Sequence, residues 1–114
     1  MTTKRYCVIV KLKNDSDLAR VTRDVPAIAR LILDRTEKNE LVFRSNDGLV
    51  FGWFILTGVP PRLLLTSVKG STSFYNGDSI IFFEIGADLK GLGFSRAWTW
   101  LQRTAKDGQP DGDG

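Results

Sequence analysis

The chain has 114 residues, 42% hydrophobic and 25% charged, with a formal net charge of +3, the profile of one globular domain able to bury its own core. It contains no histidine, which excludes Ser-His-Asp and Cys-His catalysis and histidine-ligated zinc within one chain. Cys7 is the sole cysteine and no apolar run nears the ~20 residues of a membrane span or the h-region of a secretory leader, so a cytoplasmic protein without disulfides is expected.

Residues 5–13, RYCVIVKLK, are rich in β-branched side chains and predict a first strand. The NDSD run at 14–17 offers capping side chains, and Leu18, Val21, Val25, Ile28 and Ile32 then recur on one helical face. Pro26 interrupts that pattern. Either the helix kinks there or a new helix starts with Asp24 as its cap, and both options end near Arg35. Residues 40–58 predict two strands around Ser45-Asn46-Asp47-Gly48, residue types that tolerate positive φ. VPPRLLLTSVKG predicts a second helix, with Pro60 and Pro61 in its first turn and Gly70 at its end. SIIFFEIG at 79–86 predicts a fourth strand, Gly91 and Gly93 a flexible connector, and residues 95–102 a short last helix.

The order β-α-β-β-α-β predicts an α+β, ferredoxin-like antiparallel sheet with two helices on one face, plus an additional C-terminal helix, in one domain over residues 1–103. Residues 104–114, TAKDGQPDGDG, predict a disordered, acidic, glycine-rich tail. Helices cover only one face of such a sheet, so the other should read polar. It does not: Phe51, Trp53 and Ile55 alternate with Val50, Phe54 and Leu56, and Ile80 and Phe82 alternate with Ile81, Phe83 and Ile85. A second cover is therefore expected, and a homodimer interface built from Phe51, Trp53, Phe82, Trp98 and Trp100 is the leading form of it. Its rival is an aromatic platform that stacks bases. FGWF at 51–54 faintly resembles the central strand of RNA-recognition domains, although Leu49 and Val50 stand where those domains carry a basic residue and a glycine.

Residues 1–103 carry 15 basic and 10 acidic side chains, a local charge of +5 that favours an anionic partner. Counting 100° per residue sets Arg20, Arg23 and Arg30 on the helix side away from the apolar stripe. Together with Lys11 and Lys13 they form a candidate nucleic-acid-binding set; the plainer alternative is a solvated face balanced by Asp24 and Asp34. Cys7 reads as core and Glu84 as a rim carboxylate. The glycines of GADLKGLGF lack phosphate-loop spacing, and no cofactor is expected.

Two segments carry a family likeness: VKLKND leading into an arginine-bearing helix, and GDSIIFFEIG at 77–86. In that order they resemble the small ferredoxin-like proteins associated with CRISPR spacer acquisition and their uncharacterised bacterial relatives, and in the latter a tryptophan-containing segment follows that is similar to FSRAWTWLQ at 94–102 here. The resemblance implies a dimeric scaffold. Nuclease members place a metal-binding aspartate at the end of strand one, where Lys11 stands here, and an ammonium cannot ligate magnesium. Asp15 and Asp17 are the substitutes a metal site would need, but NDSD before a helix reads first as a cap. The expected function is a non-enzymatic, homodimeric module associated with nucleic acid or a nucleic-acid-handling complex. The alternatives are a metal-dependent endonuclease and a protein-interaction or inhibitor subunit of a mobile element.

Overall fold

In the computed structural model, which describes residues 2–86 and 95–105, seven elements follow in the order β1 (Lys4–Lys11), α1 (Leu18–Leu33), β2 (Lys38–Arg44), β3 (Val50–Thr57), α2 (Pro61–Lys69), β4 (Ser79–Glu84) and α3 (Ser95–Arg103). The strands form one sheet in the order β2-β3-β1-β4, antiparallel at each pairing. This is the ferredoxin-like arrangement, in which two βαβ halves interleave and α1 and α2 lie on one face. The connector holding Gly91 and Gly93, and residues 106–114 of the expected tail, lie outside the described residues.

Each element has a local cause. Asp17 accepts a hydrogen bond from the Arg20 backbone N–H at 2.8 Å and so caps α1, which is the role the NDSD run suggested. The helix then runs through Pro26 as one element rather than restarting there. Pro60 precedes α2, Pro61 occupies its first turn, and the Gly70 N–H closes the helix onto the Thr66 carbonyl. In the β2–β3 hairpin, Gly48 takes a φ of 75°, while Asp47 accepts from the Ser45 hydroxyl and the Leu49 N–H.

The core lies between the sheet and α1 and α2. Val8, Val10 and Leu12 from the β1 segment meet Phe51, Trp53 and Ile55 of β3, with Ile28, Ile32, Leu64 and Val68 of the helices above them. Strand alternation aims those side chains at the helices and turns Arg5, Cys7, Ile9, Val50, Phe54 and Leu56 to the opposite, open face. Phe51 and Trp53 therefore lie in the core and cannot line an interface, which corrects the sequence expectation. Phe82 packs against the same core from β4.

α3 crosses part of the open face beside β2. Trp100 sits 5.8 Å from Phe54, centroid to centroid, and is buried together with Ala97 and Thr104. Thr104, counted with the expected tail, is packed and returns its hydroxyl to the Trp100 carbonyl. Arg5, also buried, donates to the Leu101 carbonyl at 3.1 Å, tying α3 to the central strand.

Further along the open face the Phe43 ring covers Gly52. A Cβ added at Gly52 would stand 2.3 Å from that ring, closer than any packed carbon approaches. Gly52→Ala is expected to displace Phe43 and lower stability by about 1–3 kcal/mol, as overpacking does. In urea melts the Phe43→Ala, Gly52→Ala double variant should cost less than the two single changes together, because the clash disappears with the ring.

Candidate functional site

The most developed polar site is centred on Arg20, which is buried rather than exposed: its side chain keeps 5% of its accessible surface. The guanidinium donates through Nε to Asp24 Oδ2 (2.9 Å), through Nη1 to Ser16 Oγ (2.9 Å) and Asp78 Oδ1 (2.8 Å), and through Nη2 to the Ser73 carbonyl (3.0 Å) and Asp78 Oδ2. An arginine has five N–H donors, and here five acceptors meet them. The Tyr75 ring stacks on the guanidinium at 3.8 Å. Asp78 is equally engaged: besides Arg20, its carboxylate accepts the backbone N–H of Lys13 at 2.8 Å and of Tyr75 at 2.7 Å. Gly77, with φ at 101°, turns the chain that presents it.

Electrostatics follow from this geometry. Arg23 donates to both Asp24 oxygens and is the main cause that brings the Asp24 carboxyl down to about 2; Arg20 adds to it against the opposing effect of burial. Burial pushes the Asp78 carboxyl up, but its hydrogen bonds from Arg20, Tyr75 and Lys13 together leave it below the usual carboxylate range. The Arg20 guanidinium is held further into its charged form, chiefly by Asp78. On the open face, burial raises the Cys7 thiol to about 11, opposite to the shift of a reactive cysteine.

This cluster removes Arg20 from the expected nucleic-acid-binding set. Its donors are consumed inside the protein, and a phosphate could not reach them without dismantling the site. Arg23 is exposed but bonded to Asp24 and to the Tyr75 hydroxyl. Arg30 and Lys11 are exposed on different elements, and half-buried Lys13 faces Asp15 at 3.6 Å. The five basic residues thus do not form one surface. Asp15 pairs with Lys13 and Asp17 caps α1, and among the described residues no group of three or more metal-ligating side chains converges. Sequence reasoning missed Asp78 although it quoted the segment that holds it. The available signal was an Asn-Gly-Asp turn feeding an apolar strand, paired with an Arg-Asp spacing of four on α1.

A second feature is the part of the open face that α3 leaves bare. On β4, Ile81 is 55% exposed and Phe83 46%, beside half-buried Ile9 on β1. Arg96 and Arg103 of α3 reach Glu40 on β2. At 100° per residue Trp98 lies away from the buried Ala97, Trp100 and Thr104 side of that helix, and it is 37% exposed. Of the expected interface residues, Trp98 is exposed, whereas Trp100 is buried against Phe54. The cleft between α3 and β2, about 270 Å³ and lined by Lys38, Asn39, Trp100, Arg103 and Thr104, holds no carboxylate or thiol to do chemistry.

No family model and no curated protein matches the sequence. Among solved structures, the chain is similar to the P2 domain of the chemotaxis kinase CheA, solved in complex with the response regulator CheY from Thermotoga maritima. The match has 15% identity and a TM-score of 0.52, and covers 73% of this chain and 99% of that one. An uncharacterised protein from the same organism matches at 8% identity and a TM-score of 0.45, covering 74% of this chain and 99% of that one. At such identity the first likeness supports the ferredoxin-like fold alone.

Replacing Asp78 by Asn should leave Arg20 short of a buried counter-charge and destabilise the protein by about 3–5 kcal/mol, read from urea unfolding. The pH dependence has a fixed sign. Asp24 and Asp78 are depressed in the folded state, so their stabilisation is complete above the unfolded carboxylate pKa of about 4 and is lost as pH falls toward 2. Asp78→Asn should flatten that acid limb in thermal melts recorded between pH 5 and 2.

Proposed function

We propose that this protein is a non-catalytic ferredoxin-like assembly module that works as a homodimer. The observation that carries the reading is the exposed apolar pair Ile81 and Phe83 on the open face of β4. Isolated exposed apolar residues are ordinary, but two large apolar side chains side by side on an edge strand are the pattern of a contact surface. Two-fold self-association is the commonest way such a surface is buried. It is also what the resemblance to the spacer-acquisition proteins implies. A single buried thiol suits a cytoplasmic setting. The CheA P2 domain, solved with a protein bound, is a precedent for docking on this scaffold and not for the partner.

Contact with nucleic acid is the second reading, favoured by the +5 charge of residues 1–103 and by exposed Lys11 and Arg30. In this reading the basic side chains neutralise phosphates on a dimer, without a nuclease centre.

Light scattering on a size-exclusion peak at micromolar concentration should return about twice 12.7 kDa. A 12.7 kDa species persisting to hundreds of micromolar would remove the dimer. Filter binding to single-stranded RNA and to duplex DNA should weaken steeply with added salt, and the salt slope should fall when Lys11 and Arg30 become Ala. Absence of binding at low salt would remove the second reading.

A further inference from the structure

The two edges of the sheet are built differently. β2 is protected: its register shifts between Leu41 and Phe43, it carries Lys38, Glu40 and Arg44, and α3 is tied to it through Glu40. A bulge and charged side chains are the usual ways to keep an edge from pairing with another chain. β4, SIIFFE, has none of them along its middle: six residues pair with β1 without a register shift, with no proline, lysine or arginine. Its one charge, Glu84, lies at the end of the strand and faces Lys4 at 3.7 Å.

Antiparallel alternation says which backbone groups are left over. The Ile85 N–H bonds to the Arg5 carbonyl, so Phe83, Ile81 and Ser79 exchange their hydrogen bonds with β1. The N–H and C=O groups of Ile80, Phe82 and Glu84 then point away from the sheet, and among the described residues no strand lies beyond them.

We propose that the homodimer forms by antiparallel pairing of β4 with β4 of a second copy, joining two four-stranded sheets into one of eight strands. The inference rests on the dimer reading above and names its contact. The occupant is a second copy because the edge is self-complementary. With Phe82 opposite Phe82 of the partner subunit on the two-fold axis, Ile80 meets Glu84 of the partner subunit. The five residues 80–84 are then all paired, and the outward backbone groups of both copies satisfy one another. The same register sets Ile81 against Phe83 of the partner subunit on the open face, twice. The two exposed apolar patches thereby become one continuous patch.

Amide hydrogen exchange followed by NMR, alongside light scattering, tests the mode separately from the dimer. On passing from monomeric to dimeric concentrations, the amides of Ile80, Phe82 and Glu84 should gain at least about tenfold protection, as backbone groups entering a ladder do. Ile81→Lys, at an exposed position, should raise the dimer dissociation constant about tenfold or more, since it removes two cross-strand pairs. Leu41→Lys on the opposite edge should leave it unchanged. A dimer whose amides at 80, 82 and 84 stay unprotected would overturn edge pairing while keeping the dimer, and so would a dimer broken by Leu41→Lys. A monomer at every concentration would overturn both.

Discussion

The bidentate pair of Arg20 and Asp78 is the interaction on which the rest of the arrangement depends. It joins the first turn of α1 to the turn that precedes β4, and through the Lys13 N–H it also holds the chain leaving β1. Two charges taken out of water cost several kcal/mol each, and their attraction compensates only when the remaining donors and acceptors are met. Here they are, by Asp24, Ser16, the Ser73 carbonyl and the Tyr75 backbone. Such a pair contributes little net stability over a well-packed apolar substitute. Its consequence is positional: it fixes where β4 starts and hence which of its side chains face the helices.

That parity governs the open face. With Ser79 opposite Lys11, Ile80 and Phe82 turn inward and Ile81 and Phe83 turn outward. A one-residue slip would exchange the two sets, exposing Phe82 and stranding the core. α3 then covers what the outward set does not supply. Trp100 lies over Phe54 and Arg5 holds the Leu101 carbonyl, whereas the bridges from Arg96 and Arg103 to Glu40 are exposed on the arginine side and contribute little. The helix is seated by its tryptophan and by the buried Arg5, at the β2 end of the face.

The strands, the hairpin and both sheet-covering helices were legible because each is encoded locally: a short apolar, β-branched and aromatic run in 79–84, Asn-Asp-Gly at the turn, Pro and Gly at the ends of α2. The inside of the sheet was not. Phe51 and Trp53 look the same as Phe54 and Leu56 when both faces of a strand are apolar, and only pairing with β1 and the reach of the helices decides which set is core. Arg20 failed for a related reason. At 100° per residue it sits on the flank of the buried stripe, some 80° short of Ile28, while Arg23 and Arg30 lie further round. A flank position is buried or exposed according to what packs beside it. What packs there is the 71–78 segment, fifty residues on, which no local pattern announces. Leu18 errs in the opposite sense: it belongs to the apolar spacing yet is 80% exposed.

The reactive groups of the described residues are engaged in the fold. The Asp24 and Asp78 carboxylates are held ionised by arginine and are poor proton donors or acceptors near neutral pH. The Cys7 thiol is protonated and buried. Asp24, Asp78 and Cys7 are engaged in holding the fold, whereas among the described residues Ile81 and Phe83 are exposed apolar side chains on β4 and no strand pairs with its outer edge. Water solvates a backbone edge adequately but an apolar strand face poorly, and on β4 the two coincide in the same six residues. A strand presenting both is most fully satisfied by another strand of the same kind, and the nearest source of one is a second copy of this chain.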